Sequence, residues 1–153
     1  MLFAEGWMIS AGRLFAVVLL LFCFLSCSRQ PVYPGPFLAG QDIIIDSAAL
    51  QEGIPRFFSY SYQGRYINFF VVKTEDRILS FLDACLKCYP KKLGFRHEGA
   101  SVFCRACNEH YPVSEIEKGF GSCYPVKIEG KTEGGKYVLK AAKLETNGEK
   151  FFR

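Results

Sequence analysis

The sequence predicts a small, mainly β (α+β) domain: an antiparallel meander carrying two cysteine knuckles, with at most one short helix. Three observations predict it. Phe- and Tyr-rich residues alternate with smaller ones from Arg56 to Tyr62, with a second apolar segment from Tyr66 to Val72, as half-buried or buried strands do. Gln63-Gly64 lies between them, which is the turn chemistry of a two-residue hairpin. Asp83 to Pro125 carries five of the seven cysteines, as Cys85-Leu86-Lys87-Cys88, Cys104-Arg105-Ala106-Cys107 and a lone Cys123. A tight turn through Cys-x-x-Cys aims two sulfurs at one point, with its backbone N–H groups facing them. Two such turns, separated here by 15 residues, are the zinc-ribbon-like sign of a tetrahedral sulfur site.

In chain order, Leu14 to Leu25 is a 12-residue apolar run behind Arg13. A membrane span needs about 20 such residues, so the run reads as a signal peptide core. It ends in Phe24-Leu25-Ser26-Cys27, which resembles a bacterial lipobox, with Phe24 where leucine is usual. On that reading residues 1–26 are a lipoprotein signal peptide and Cys27 is lipidated. An uncleaved membrane anchor and an ordinary cleaved signal are the alternatives, and all three place the domain outside the cytoplasm. Met8 is an alternative start, because Met1 to Trp7 puts Glu5 ahead of the positive region. Ser28 is not the acidic residue that retains lipoproteins at the inner membrane of enteric bacteria, so an outer-membrane location stays open.

Residues 27–40, with Pro31, Pro34, Gly35 and Pro36, read as a lipidated, semi-extended tether, and residues 41–153 as the metal-binding β domain. Asp42 to Asp46 is a buried strand and Ser47 to Ile54 a loop. After the hairpin, Thr74-Glu75-Asp76 turns the chain into a third strand, Arg77 to Leu82, which runs into the first knuckle. Phe95 to Glu98 and Ser101 to Phe103 flank Gly99 as the hairpin delivering Cys104 and Cys107. Val113 to Lys118 is a single short helix at best, with Ser114 its N-cap. Val126 to Glu129 and Lys136 to Leu144 close the fold as paired strands, followed by an Asn147-Gly148 turn.

Composition narrows the function. The net charge of +4 is spread among apolar residues without a basic run, so nucleic acid is not an expected partner. With Cys23 in the signal and Cys27 acylated, five cysteines remain, an odd number that favours a metal over an all-disulfide scheme. Cys85, Cys88, Cys104 and Cys107 are the expected metal ligands. Cys123 either replaces one of them on a cluster or stands beside them. Spacing alone does not separate an iron–sulfur cluster from Zn2+. His110 and His97 are minor ligand candidates. Lys87, Lys91, Lys92 and Arg105 would favour thiolates, and Asp83 caps the first knuckle rather than acting as a base. Neither Cys-x-x-Cys is followed by histidine, which excludes c-type haem attachment. No Gly-x-Ser-x-Gly, phosphate loop or His-Glu-x-x-His is present, so an electron carrier or metal-binding module is expected rather than an enzyme.

Several motifs together resemble the FtrD-like membrane iron–sulfur family. They are Leu82-Asp83-Ala84-Cys85-Leu86-Lys87-Cys88-Tyr89-Pro90, Gly94-Phe95-Arg96-His97-Glu98-Gly99, Cys104-Arg105-Ala106-Cys107 and Gly121-Ser122-Cys123-Tyr124-Pro125. Arg56-Phe57-Phe58 and Phe69-Phe70-Val71-Val72-Lys73 also look similar to family strands, and the resemblance covers about half the chain. Ser122 and Tyr124 stand where the family has glycine and asparagine. Many relatives carry membrane helices ahead of this domain, where this chain has a lipid-anchor pattern. The resemblance implies an iron–sulfur centre outside the membrane, with a membrane redox or iron-transport partner. The other readings are a structural zinc module and a thiol–disulfide oxidoreductase, the latter lacking a strand-then-helix setting around either pair.

Overall fold

Six consecutive buried residues, Ile67 to Val72, mark the middle of the molecule. A strand with both faces buried needs a layer on each side, and the chain supplies them. The computed structural model describes residues 30–119, 121 and 123–151. The central sheet has the order β3 (Arg56–Tyr62), β4 (Arg65–Lys73), β5 (Ile78–Cys85), β9 (Pro125–Ile128). On one side lies a sheet ordered β1 (Phe37–Ala39), β2 (Asp42–Asp46), β11 (Lys136–Lys140), β10 (Lys131–Glu133). On the other lies the three-stranded sheet β6 (Phe95–Glu98), β7 (Ser101–Cys104), β8 (His110–Pro112). All strand pairs within these sheets are antiparallel. The mainly β class with one short helix is as expected.

Alternation along β4 feeds two separate cores. Phe69 and Val71 join Ile43, Ile45, Phe58, Leu82 and Leu139 in the first. Phe70 and Val72 join Phe81, Phe95, Val102, Tyr111 and Ile116 in the second, which also contains Cys85 and Cys104. The cysteine-bearing turns therefore grow out of a packed layer.

The turns at Gln63-Gly64, Thr74 to Asp76 and Gly99 fall where expected. Gln63 (φ 48°) and Gly64 (φ 73°) both adopt left-handed backbone, the requirement of a type I′ hairpin turn. Four expectations are corrected. Residues 30–40 do not form a free tether. Asn68 Nδ2 donates to the Pro31 carbonyl at 2.8 Å and Ser59 N–H to that of Pro34 at 3.3 Å. Tyr33 stacks on Phe57 with ring centroids 5.0 Å apart, and Phe37–Ala39 pairs with β2. This segment covers the open edge of β3, which otherwise presents unpaired backbone groups.

The closing strands do not pair with each other. β9 joins β5 while β11 joins β2 and β10. Gly134 and Gly135, both at positive φ, make another tight hairpin whose outer strand, β10, is wholly exposed and so has no apolar alternation to read. The Val113 to Lys118 helix is only a 3-10 turn, Val113–Glu115, whose N-cap is Pro112, not Ser114. Beyond Lys140 the chain is helical rather than extended: α1 (Ala141–Phe151) buries Ala141, Leu144, Gly148 and Phe151, and Tyr60 donates its hydroxyl to Glu145 at 2.7 Å.

Gly148 explains how α1 absorbs an Asn-Gly pair that favours a turn. A Cβ there would lie 2.6 Å from Ile67 Cδ1, so the helix approaches β4 as closely as glycine allows. In an open helix Gly→Ala gains about 1 kcal/mol; here overpacking costing about 1–3 kcal/mol opposes it. Gly148→Ala is expected to lower the melting temperature, and adding Ile67→Ala to recover part of the difference relative to Ile67→Ala alone. A stabilised Gly148→Ala protein would show that α1 does not pack this closely.

Candidate metal centre

β5 ends at Cys85 with its odd-numbered residues facing the three-stranded sheet. Phe81 and Cys85 belong to the second core, and between them Asp83 is fully buried. Its carboxylate accepts the Phe95 N–H at 2.6 Å, the first amide of β6. Burial raises the Asp83 pKa to about 7, while the Phe95 N–H and the Arg105 guanidinium act in the opposite direction. Gly94, at φ +67°, has no room for a Cβ: one would stand 2.5 Å from Asp83 Oδ2. Asp83 thus does more than cap a knuckle. It fastens the start of β6 to the end of β5, and β6 in turn pairs with the strand that ends in Cys104.

The knuckles are closed by their own backbone. Cys88 N–H donates to the Cys85 carbonyl at 3.1 Å, and Asn108 N–H to that of Cys104 at 2.8 Å, with Asn108 at φ 60°. Arg105 N–H returns to the Gly94 carbonyl at 2.9 Å. In the second knuckle the N–H groups of Ala106 and Cys107 point at Cys104 sulfur, and that of Glu109 at Cys107 sulfur. These are donors placed for negative sulfur.

The sulfurs of Cys85, Cys88 and Cys104 lie within 4.8 Å of one another. Cys107 reaches Cys88, Cys104 and Cys123, and Cys123 reaches Cys85. Cys107, an expected ligand, and Cys123 lie outside that close trio and join it only through these pairwise approaches, and no disulfide joins the five. Crowding has opposite effects on different members. Burial, a contact from Cys107 and the other sulfurs push Cys88 up. Cys104 rises to about 11, through burial that its N–H donors only partly offset. Burial also raises Cys107, but the Glu109 N–H and the thiols of Cys104, Cys88 and Cys123 outweigh it and hold Cys107 low. Cys123 is raised by burial, then by Cys85 and Cys107, with Lys87 opposing. A divalent ion among these sulfurs would remove the penalty by taking the place of the protons.

The donor set fits a metal. It is sulfur-rich, and thiolates select zinc and iron–sulfur centres. Two sulfurs sharing one tetrahedral ion at about 2.3 Å stand about 3.8 Å apart, inside the observed spacing. The Tyr111 hydroxyl adds a second sign. It is buried without a hydrogen-bond partner, a state that costs about 1–3 kcal/mol, and the groups acting on it are the sulfurs of Cys85, Cys123 and Cys107.

The remaining candidates fall elsewhere. His110 is exposed and stacks on Phe103 with centroids 5.6 Å apart, and His97 is not in the metal-binding group found among the described residues. Arg105 serves structure more than the thiols, donating Nε–H to the Phe95 carbonyl at 2.9 Å. Cys27 and Ser122 lie outside the described residues. Tyr111 and Gln30 escape sequence reasoning. Tyr111 sits in a polar-looking stretch, and only the register Val102 to Tyr111 turns it inward. Gln30 falls in the expected tether, yet its Nε2 donates to the Asp83 carbonyl at 2.5 Å.

Fold and site together define a layered β domain with a metal-binding thiol cluster between two Cys-x-x-Cys turns. The chain belongs to the family described as "Membrane iron-sulfur containing protein FtrD-like", which matches residues 50–152, about two-thirds of its length. No curated protein and no solved structure gives a match. Among the described residues no helix is long and apolar enough to cross a membrane.

Gly94 gives the assembly a direct test. Gly94→Ala combines left-handed strain of about 1–2 kcal/mol with a collision against Asp83. Gly99→Ala carries similar strain at φ +58° but meets nothing within 4 Å. Gly94→Ala is expected to lose the larger share of thermal stability and of bound metal. Equal losses in the two variants would mean that the Asp83 contact does not position the centre.

Proposed function

We propose that this protein is a lipid-anchored, extracytoplasmic iron–sulfur protein that passes single electrons to or from a membrane iron-uptake or reductase system. One observation carries the reading: three sulfurs lie within 4.8 Å of one another, with Cys107 and Cys123 beside them, in a chain of the FtrD-like iron–sulfur family. Cys85, Cys88, Cys104 and Cys107 would hold the group, with Cys123 able to exchange into the set. The cluster would supply one-electron chemistry. The protein's own part is to hold the sulfurs, aim the N–H groups of Ala106, Cys107 and Glu109 at them, and back them with the second core.

Placement of the N-terminal segment supports a membrane-proximal role. Gln30, bonded to the Asp83 carbonyl, follows Cys27 by three residues. Three residues span at most about 10 Å, so an acylated Cys27 would keep the first knuckle near the lipid surface. Leu86, Tyr89 and Tyr124 are exposed around the knuckles, where a membrane partner would dock.

A second reading, a structural zinc module, is favoured by the close spacing of Cys85, Cys88 and Cys104, which suits a single tetrahedral ion. Anaerobic purification followed by a visible spectrum and assays of iron, sulfide and zinc separates the two. Broad visible absorption with iron and sulfide is expected. About one zinc per chain, with iron and sulfide near zero, would replace the redox reading with the structural one. In the same preparation Cys104→Ser should lose metal and melt at a lower temperature, because such sites contribute about 10–16 kcal/mol of apparent binding energy. Unchanged metal content and melting would remove Cys104 from the ligand set.

Cys27→Ala tests the anchor. The variant is expected to leave the membrane fraction and to take up no fatty-acid label, since anchoring by several acyl chains is lost at once. Label retained in the alanine variant would refute acylation at Cys27.

A further inference from the structure

Tyr111 is 2% exposed, and a hydroxyl buried to that degree normally has a partner. It has none among the described residues. Its ring is fixed, edge-on to Phe95 with centroids 6.0 Å apart and planes at 79°, and β8 holds it opposite Val102. It shares the second core with Cys85 and Cys104, and after burial the strongest influences on the hydroxyl are the sulfurs of Cys85 and Cys123. A neutral thiol is a weak acceptor, whereas a metal-bound thiolate keeps negative charge and lone pairs and is a strong one. A loaded Cys85 sulfur therefore offers the hydroxyl a stronger acceptor than the neutral thiol does.

We propose that Tyr111 donates its O–H to the sulfur of Cys85 in the loaded centre, and that this bond tunes the centre's reduction potential and its hold on the metal. The proposal rests on the reading that the thiols hold a metal, iron–sulfur or zinc. Reduction by one electron adds negative charge to the sulfurs, so a donor at Cys85 favours the reduced form. Hydrogen bonds to the sulfurs are among the known determinants of such potentials. The backbone donors of the second knuckle serve Cys104 and Cys107; Tyr111 is the side-chain counterpart on the first knuckle. It is a positioning and tuning residue, and it takes no electron itself.

The test compares the metal-loaded full chain with Tyr111→Phe, which keeps the ring and removes only the hydroxyl. Tyr137→Phe is the control, since Tyr137 is also buried but pairs with Ser80 at 2.8 Å in the other core. Tyr111→Phe should keep the parent's metal content. Its oxidised-to-reduced ratio at a fixed potential should rise about three- to tenfold, a fall of about 30–60 mV at 59 mV per decade. If the centre holds zinc, release to a chelator should quicken by a similar factor. Tyr137→Phe should change neither readout.

A loaded Tyr111→Phe protein with the parent's potential and release rate would overturn the inference. If Tyr111→Phe does not fold, the parent decides the matter after cadmium-113 substitution. A Tyr111 hydroxyl proton coupled to the metal through sulfur is expected in its NMR spectrum, and the lack of that coupling overturns the proposal. A parent that binds no metal overturns both the centre and this inference; an unaffected variant of a loaded parent overturns the inference alone.

Discussion

The centre depends on one buried hydrogen bond, from the Phe95 N–H to the Asp83 carboxylate at 2.6 Å. The two knuckles belong to different sheets, and nothing in either turn alone brings them together. Cys85 closes the last strand of the central meander, and Cys104 closes the second strand of a separate hairpin. Asp83 spans the gap between these layers. Its acceptor reaches the first amide of β6 because Gly94 leaves the space of a Cβ empty. Arg105 then ties the second knuckle back to the same corner through the carbonyls of Gly94 and Phe95. A buried carboxyl is costly unless its oxygens are satisfied, and here one oxygen holds the sheet while the other receives Gln30 Nε2 at 3.3 Å.

The two cores divide the remaining work. Sheet β1-β2-β11-β10 and α1 cover one face of β4 and β5 and contribute no thiol. They back the central sheet on the face opposite the cysteine-bearing layer. The buried Ser80 hydroxyl contributes to this from within β5, donating to the Ile128 carbonyl at 2.7 Å and meeting the Tyr137 hydroxyl at 2.8 Å. That chain of polar contacts spans three strands from two sheets. It fixes the register of β5 a few residues before Cys85, where the pairing with β9 is interrupted between Phe81 and Cys85.

What could be read from the sequence followed the strength of local signals. The Gln63-Gly64 hairpin, the Gly99 turn and the two knuckles are short-range features, and each stands where its residues put it. Asp42 to Asp46 carried enough β-branched residues to declare a strand. The misread parts are those decided by distant packing. Residues 141–151 have apolar contacts at helical spacing only when Gly148 is counted among them, and a glycine gives no such signal by itself. Residues 30–40 look like a spacer because prolines and glycines dominate them, yet their carbonyls serve the edge of β3 and the amide of Asn68. Asp83 was visible as a residue two positions before a cysteine, but its partner lies 12 positions away. Tyr111 gave no sign at all: its neighbours His110 and Pro112 are exposed, and only the register of a three-residue strand sends its hydroxyl toward the sulfurs.

The crowding of five thiols also bears on why this domain needs its layers. Burial pushes Cys88, Cys104 and Cys123 away from thiolate, and their mutual proximity adds to that. Left to itself such a group would spread apart or oxidise. Three features oppose this. The backbone N–H groups of the second knuckle offer donors to Cys104 and Cys107, the second core holds Cys85 and Cys104 at 2% and 1% exposure, and the Asp83 corner fixes the separation of the turns. The rigid scaffold thus keeps sulfurs together in a state they would not choose, and binding a cation turns that repulsion into coordination. The same argument accounts for the exposure of Cys107 while Cys85 and Cys104 are buried. One side of the group is packed and fixed, and the other stays open to the surface.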